Sequence, residues 1–274
     1  MDSHIVNIHA YRTLNKIKHK FFTKPYFTGL SIEECWSEKF DIFKDRELFV
    51  HVGLGGFCKY YSSPEQATKI LVNFLKAQLN PVSLISQSFT PSFRRSGVYS
   101  IEHSRAEIGL FAEQFRIISK FRTNDPIHGV SYITQRKDKF DNIDYHDTFG
   151  EAGFYSSLYD RDAVIVNLLT GRFVSTYLHF LEEKYKVPYK RKNVIYSGVV
   201  YSTSGIYSVE QKNHAELYPV EFNRKKIYNL LLSKGAIVEK SIQGRVVLSM
   251  VSVKLMDEII GNILTKNPYF LVSF

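Results

Sequence analysis

Only two cysteines, Cys35 and Cys58, occur in 274 residues. They build neither a disulfide framework nor the closely spaced pairs of a metal site, and they suit a reducing compartment. Long apolar runs are missing too: none approaches the ~20 residues that a membrane helix requires. The opening MDSHIVNIHAYRTLNKIKHKFF lacks a long apolar core followed by small residues, so no secretory leader is read there. There is no internal repeat, no low-complexity tract and no Pro/Gly/Ser-rich linker. These absences exclude membrane insertion and point to a cytoplasmic protein with an ordinary core.

Acidic residues are in deficit, which leaves a net charge of +9. Such an excess speaks of partners rather than of fold. The 18 Tyr and 21 Phe could serve a nucleic acid as stacking platforms. Most of them fall in periodic core patterns, however, and no nucleic-acid-binding signature is present. A basic nucleic-acid-binding module without catalysis therefore stands as the reading from a different class. An anionic small ligand explains the same charge, and Lys and Arg thicken at 184–192 and at Arg94-Arg95.

Residues 1–30 are basic and read as an N-terminal arm or helix, with 31–274 as a single domain. Capping boxes at Ser31, Ser63 and Ser104 predict helices to about Phe43, Leu79 and Lys120. Strands are predicted over Glu47–Val52, 81–89 and 128–133, and a charged loop over 135–150. A short helix begins near Ser156. Late in the chain, two hairpins flank a helix over 222–234, and a last helix runs over 254–266. Alternating strands and helices, then clustered strands, predict an α/β fold: a three-layer α/β/α sandwich with a mixed β-sheet.

The stretch from Ala163 to Lys192 organises the rest. Seven uncharged residues, Ala163 to Leu169, read as a strand buried on both faces. Thr170-Gly171 breaks it, Ser175 or Thr176 offers an N-cap, and a helix over 177–185 stops at Val187-Pro188. Thr176, His179 and Glu182 recur every three residues, on one helical face beyond a strand's carboxyl end, where α/β sheets collect ligands. A neutral imidazole oriented by a carboxylate is a general-base arrangement. The same pair is also a common surface feature worth a few tenths of a kcal/mol. A metal site using His146 or His214 would lack a second closely spaced ligand pair, so no metal is assigned.

Taken in order, these motifs resemble the aminoglycoside 3-N-acetyltransferase family. The family's His-Ser-Ser-Leu-Ser-x-x-Gly loop is similar to His51-Val52-Gly53-Leu54-Gly55-Gly56. Its Glu-x-Phe-Arg matches Glu113, Phe115 and Arg116, and its Arg-Ser-x-His-Pro turn is similar to Arg122–Pro126. Its Phe-Gly-x-x-Ser-Pro-Leu resembles Phe149-Gly150 with Ser156–Leu158. Its Thr-x-x-His-x-x-Glu and Val-Pro-Tyr/Phe-Arg match Thr176, His179, Glu182 and Val187–Lys190. The resemblance implies an N-acyltransferase that uses acyl-coenzyme A and a direct attack by an amine. It implies His179 as general base and Glu182 as its partner, and the oxyanion of such an attack needs a donor such as Thr176 or a backbone N–H. Residues 51–56, with Ser86 and Arg122, are assigned to the cofactor.

The departures bear on the acceptor. Gly53 and Gly55 replace serines, and Asp125 stands where the family has His. The family's long acidic stretch is shortened to Pro91–His103, which carries Arg94 and Arg95. Aminoglycosides are polycations, so the expected acceptor is an anionic amino sugar, nucleotide-linked, held by Arg94, Arg95 and Ser88. True aminoglycoside acetylation is the runner-up. The oligomeric state is not legible.

Overall fold

The computed structural model describes residues 31–137, 140, 142–217 and 220–273, so the N-terminal arm or helix read over 1–30 lies outside the described residues. The organising strand forms as predicted: β6, Val164–Leu168, is buried at every position. It sits centrally in a seven-stranded sheet of order β10-β11-β6-β1-β2-β5-β4. Here β1 is Glu47–Val52, β2 Ser83–Gln87, β4 Phe121–Arg122, β5 Val130–Thr134, β10 Val238–Ile242 and β11 Arg245–Ser252. β1 runs parallel to β2 and to β6, while the outer pairings are antiparallel, so the sheet is mixed.

Helices on both faces complete the three layers. Phe154–Asp160, Tyr177–Lys184, Arg224–Ser233 and Val253–Leu264 pack Leu158, Leu181, Ile227 and Ile260 against Phe49 and Ile165. On the other face, Pro64–Leu79 and Leu110–Ile118 pack Leu71, Leu75 and Phe115 against Leu48, Val50 and Val166. A three-stranded sheet, β3 (Val98–Ser100), β7 (Lys190–Ser202) and β8 (Gly205–Glu216), has a small core of its own around Phe93, Tyr99 and Val200. The short β9 (Glu221–Phe222) pairs with β12 (Val272–Ser273). No described helix is long and apolar enough to cross a membrane.

Three predicted helices differ, each for a local reason. Residues 31–43 form two 3₁₀ turns, Glu33–Cys35 and Glu38–Phe43, because Trp36 and Ser37 are extended between them. The helix predicted from Ser104 begins at Leu110, because Gly109 at φ +143° interrupts the chain. Glu107 then turns away to accept from the Ser92 N–H at 3.1 Å and from its hydroxyl. The Tyr177–Lys184 helix carries no side-chain cap, since Thr176 itself is helical.

The carboxyl ends of β2, β1 and β6 share one rim. Because β11 runs antiparallel to β6, pairing Leu248 with Leu168, its amino end at Arg245 reaches that rim as well.

Candidate active site

The loop that follows β6 is held against its own strand. Asn167 Oδ1 accepts from the Val174 N–H at 2.7 Å, and its Nδ2 donates to the Val174 carbonyl at 3.0 Å. Leu169 adopts φ +58° and Gly171 φ +65°, which reverses the chain within a few residues. The loop therefore delivers His179 to the first turn of the Tyr177–Lys184 helix, whose N–H bonds the Thr176 carbonyl at 3.0 Å.

There the histidine and the carboxylate meet. His179 Nδ1 lies 2.7 Å from Glu182 Oε2, with the histidine side chain 34 % exposed and the glutamate 1 %. A carboxylate at Nδ1 selects the tautomer that leaves Nε2 as the basic nitrogen. Lys190, at the start of β7 with its side chain 6 % exposed, places Nζ 2.9 Å from the same oxygen and 3.5 Å from His179 Nδ1. Burial pushes the Glu182 carboxyl up, but the charges and hydrogen bonds of His179 and Lys190 prevail and hold it below its ordinary value. Phe149 and Phe222 flank the imidazole, with ring centroids at 5.7 and 5.1 Å. The result is a half-exposed imidazole on a dry, ionised support.

Thr176 is not turned toward the histidine: its hydroxyl accepts from Gln87 Nε2, across the rim from the end of β2. Next to this bond, a cavity of about 270 Å³ opens between the ends of β1 and β2, lined by His51, Val52, Gly53, Ser86 and Gln87. His51 Nε2 is buried there without a hydrogen-bond partner. Burial, followed by the charge of Arg224, pulls its pKa down to about 3, so the ring is neutral.

Gly53, Gly55 and Gly56 do not adopt positive φ, and Leu54–Phe57 is a helical turn with Leu54 in the core. A Cβ on Gly53 would lie 2.0 Å from the Leu169 carbonyl oxygen, whereas one on Gly55 meets nothing within 4 Å. The close approach that Gly53 permits is to the β6 loop.

Arg122 is a clamp rather than a free cation. Its Nε donates to Ser88 Oγ at 3.0 Å, and Nη2 donates to the Ser88 carbonyl at 2.6 Å and to Thr90 Oγ1 at 2.9 Å. Nη1 donates to the carbonyls of Ile101 and Ser104 at 3.1 and 2.5 Å. All five N–H groups are engaged with protein, so Arg122 has none for a cofactor phosphate and Ser88 serves as its partner. Ser86 is buried, its hydroxyl 3.4 Å from the Val50 carbonyl. Arg94 lies on the short Phe93–Ser96 helix, with Nη2 3.2 Å from Asn213 Oδ1 and 3.4 Å from His128 Nε2. His128 packs 5.0 Å from Phe149, which connects Arg94 to the His179 wall; Arg95 is exposed on the same helix. Asp125 points inward and accepts from the N–H groups of Ile127 and His128, both at 2.8 Å, and from the Thr148 hydroxyl.

Gln87, His128 and the aromatic walls carry no local signal in the sequence, and Lys190 is legible there only as part of the basic run 184–192. Among the described residues, no cluster of three or more His, Cys, Asp or Glu is arranged to hold a metal.

A half-exposed imidazole on a buried carboxylate thus stands at the carboxyl rim of a mixed sheet. The sequence profile described as aminoglycoside 3-N-acetyltransferase matches residues 78–261, about two thirds of the chain. The chain belongs to that family, and is an N-acyltransferase dependent on coenzyme A. Among solved structures it is similar to AAC(3)-Xa, at 13 % identity and TM-score 0.66, over 83 % of this chain and 89 % of that one. It is likewise similar to AAC-IIIb in its binary complex with CoASH, at 13 % identity and TM-score 0.65, over 81 % and 91 %. The YokD protein from Bacillus subtilis follows at 14 % identity and TM-score 0.64, over 84 % and 91 %. No curated protein sequence matches significantly.

Proposed function

We propose that the chain moves an acyl group from coenzyme A to the amine of an anionic amino sugar, nucleotide-linked, with His179 as general base. The observation that carries this reading is the 2.7 Å contact of His179 Nδ1 with buried Glu182, which selects the tautomer with a lone pair on Nε2. An amine must lose a proton as it attacks a thioester, and a positioned imidazole supplies about 10²–10⁴ in rate. Glu182 orients the ring and stabilises the imidazolium, and Lys190 keeps that carboxylate ionised. Coenzyme A supplies the acyl thioester. The cavity beside His51, Ser86 and Gln87 fits its thiol arm, because the orphaned His51 Nε2 there can bond a polar group. Gln87 fixes the Thr176 hydroxyl, so that its O–H or a nearby backbone N–H can face the developing oxyanion.

Arg94 beside His128 and Asn213 supports an anionic acceptor. The second reading is an aminoglycoside acceptor, favoured by relatives whose structures hold a gentamicin, sisomicin and apramycin. Acyl-transfer assays with both classes separate the two. The His179→Ala variant is expected to lose about 10²–10⁴ in turnover while coenzyme A affinity, read by calorimetry, barely moves. Near-normal turnover would return His179 to the role of a surface pair.

A further inference from the structure

The rim holds a second, larger cavity that the proton transfer does not use. It measures about 480 Å³, and Arg172, Arg224, Lys225 and Arg245 line it. These four cations come from three separate segments: the β6 loop, the start of the Arg224–Ser233 helix, and the β10–β11 turn. No carboxylate is among the lining residues. Arg224 is the innermost, and its pKa is pushed down first by burial and then by the positive charge of Arg172, with Glu221 opposing. The like charges of Arg172 and Arg224, side by side on a concave, half-dry site, favour an anion between them.

Two further observations connect this cavity to the active site. Thr170 and Arg172 line both cavities, so the two adjoin. The Arg224 guanidinium also lies 5.7 Å over the Phe222 ring, the same ring that packs 5.1 Å from His179. One aromatic ring therefore separates the cationic pocket from the base. His51, with its buried, unpartnered Nε2, lines the smaller of the two cavities.

We propose that Arg172, Arg224, Lys225 and Arg245 form a phosphoester pocket that takes the phosphate groups of a nucleotide. Guanidinium forks match phosphate oxygens in pairs, and the exposed Lys225 adds a mobile point charge at the mouth. Two sources offer this chemistry within the acyl-transfer reading on which the ligand's identity rests: the nucleotide end of coenzyme A, or the diphosphate of a nucleotide-linked acceptor. Arg94 does not line this cavity; it approaches His179 through His128 and Phe149.

Calorimetry on the whole chain tests this with adenosine 3′,5′-bisphosphate and UDP as probes. The wild type is expected to bind at least one, more weakly as salt rises. Arg224→Gln is expected to reduce that affinity about tenfold, the usual loss for a charge-assisted hydrogen bond. Because Arg224 is half-buried, the exposed pair Lys225→Gln/Arg245→Gln provides the same test without risk to the core, and Lys76→Gln, an exposed cation on the Pro64–Leu79 helix, is expected to leave the affinity unchanged. Bisphosphate binding that competes with coenzyme A assigns the pocket to the cofactor. UDP binding that persists at saturating coenzyme A assigns it to the acceptor. Absence of binding by either nucleotide, or equal binding by folded Lys225→Gln/Arg245→Gln protein, overturns the proposal. Neither probe carries a thioester or an amine, so failure of acyl transfer leaves this result standing.

Discussion

Glu182 accepts from His179 and Lys190 on one oxygen, at 2.7 and 2.9 Å, within a nearly dry environment. A buried pair whose one partner is removed leaves an uncompensated charge, at about 3–5 kcal/mol. Glu182→Leu is therefore expected to lower the urea midpoint sharply, and Glu182→Leu/Lys190→Met to recover most of the loss. Equal stability in the single and double variants would remove Lys190 from the support. Two other buried groups set opposite pH dependences. Burial lifts Asp125 to about 6. Its folded state binds more protons than the unfolded chain between pH ~4 and ~6, so stability falls as pH rises through that window. Burial and Arg224 depress His51 to about 3. The unfolded chain then binds more protons below pH ~6.5, so stability falls as pH falls toward ~3. Asp125→Asn is expected to gain on the order of 1–3 kcal/mol relative to wild type between pH ~4 and ~6.5, read from urea midpoints. An unchanged pH slope would rule out Asp125 as its source.

Between elements, the decisive contact is the crossing of the β1 and β6 loops. Gly53 abuts the Leu169 carbonyl, while Gly55, two residues on, faces open space. Gly53→Ala is expected to destabilise by about 1–3 kcal/mol, the usual effect of overpacking. Gly55→Ala is expected to stay within about 0.5 kcal/mol, as for other surface changes. Thermal denaturation of the two variants side by side reads the contrast, and equal shifts would discount the crossing. The capping boxes show how far an element is legible. Ser63 Oγ accepts from the Gln66 N–H at 3.1 Å, as the motif demands. At Ser31 the reciprocal bond also forms, with its N–H donating to Glu34 at 3.0 Å, yet extended Trp36 and Ser37 halt the helix. At Ser104 the glutamate finds Ser92, a partner fifteen residues away. A local motif offers hydrogen bonds; distant residues decide whether they are used.

Across the whole molecule, the +9 charge is not evenly used. Arg122 and Arg116 are clamped inside, Arg116 in a fork on Glu113 at 2.8 and 2.9 Å. Arg94 lies on the Phe149 side of His179, and the cavity of Arg172, Arg224, Lys225 and Arg245 on the Phe222 side. A site between two cationic regions favours anions on long-range grounds, and salt screens that attraction beyond ~10 Å. Arg94→Ala/Arg95→Ala is expected to raise the acceptor's KM while leaving coenzyme A affinity nearly intact. Kanamycin-type amines are expected to be poor acceptors. Their efficient acetylation, at kcat/KM near ~10⁴ M⁻¹s⁻¹, would favour the aminoglycoside reading instead.

The buried strand, the break at Thr170-Gly171, and the three-residue spacing of Thr176, His179 and Glu182 are local patterns, and the sequence by itself determined them. Periodicity alone places His179 and Glu182 one helical turn apart, and alternation of elements predicts the layered sheet. What surrounds that pair came only from tertiary structure. Lys190 reaches Glu182 because β7 departs next to the Tyr177–Lys184 helix. Gln87 meets Thr176 because β1 lies between β2 and β6 and all three end on one rim. Arg122, read as a cofactor ligand, proved to be a clamp because five acceptors from separate segments converge on it. Arg245 joins Arg172 and Arg224 because β11 runs antiparallel to β6. Spacing along the chain encodes which groups share a face, whereas strand order and direction decide which distant charges share a cavity.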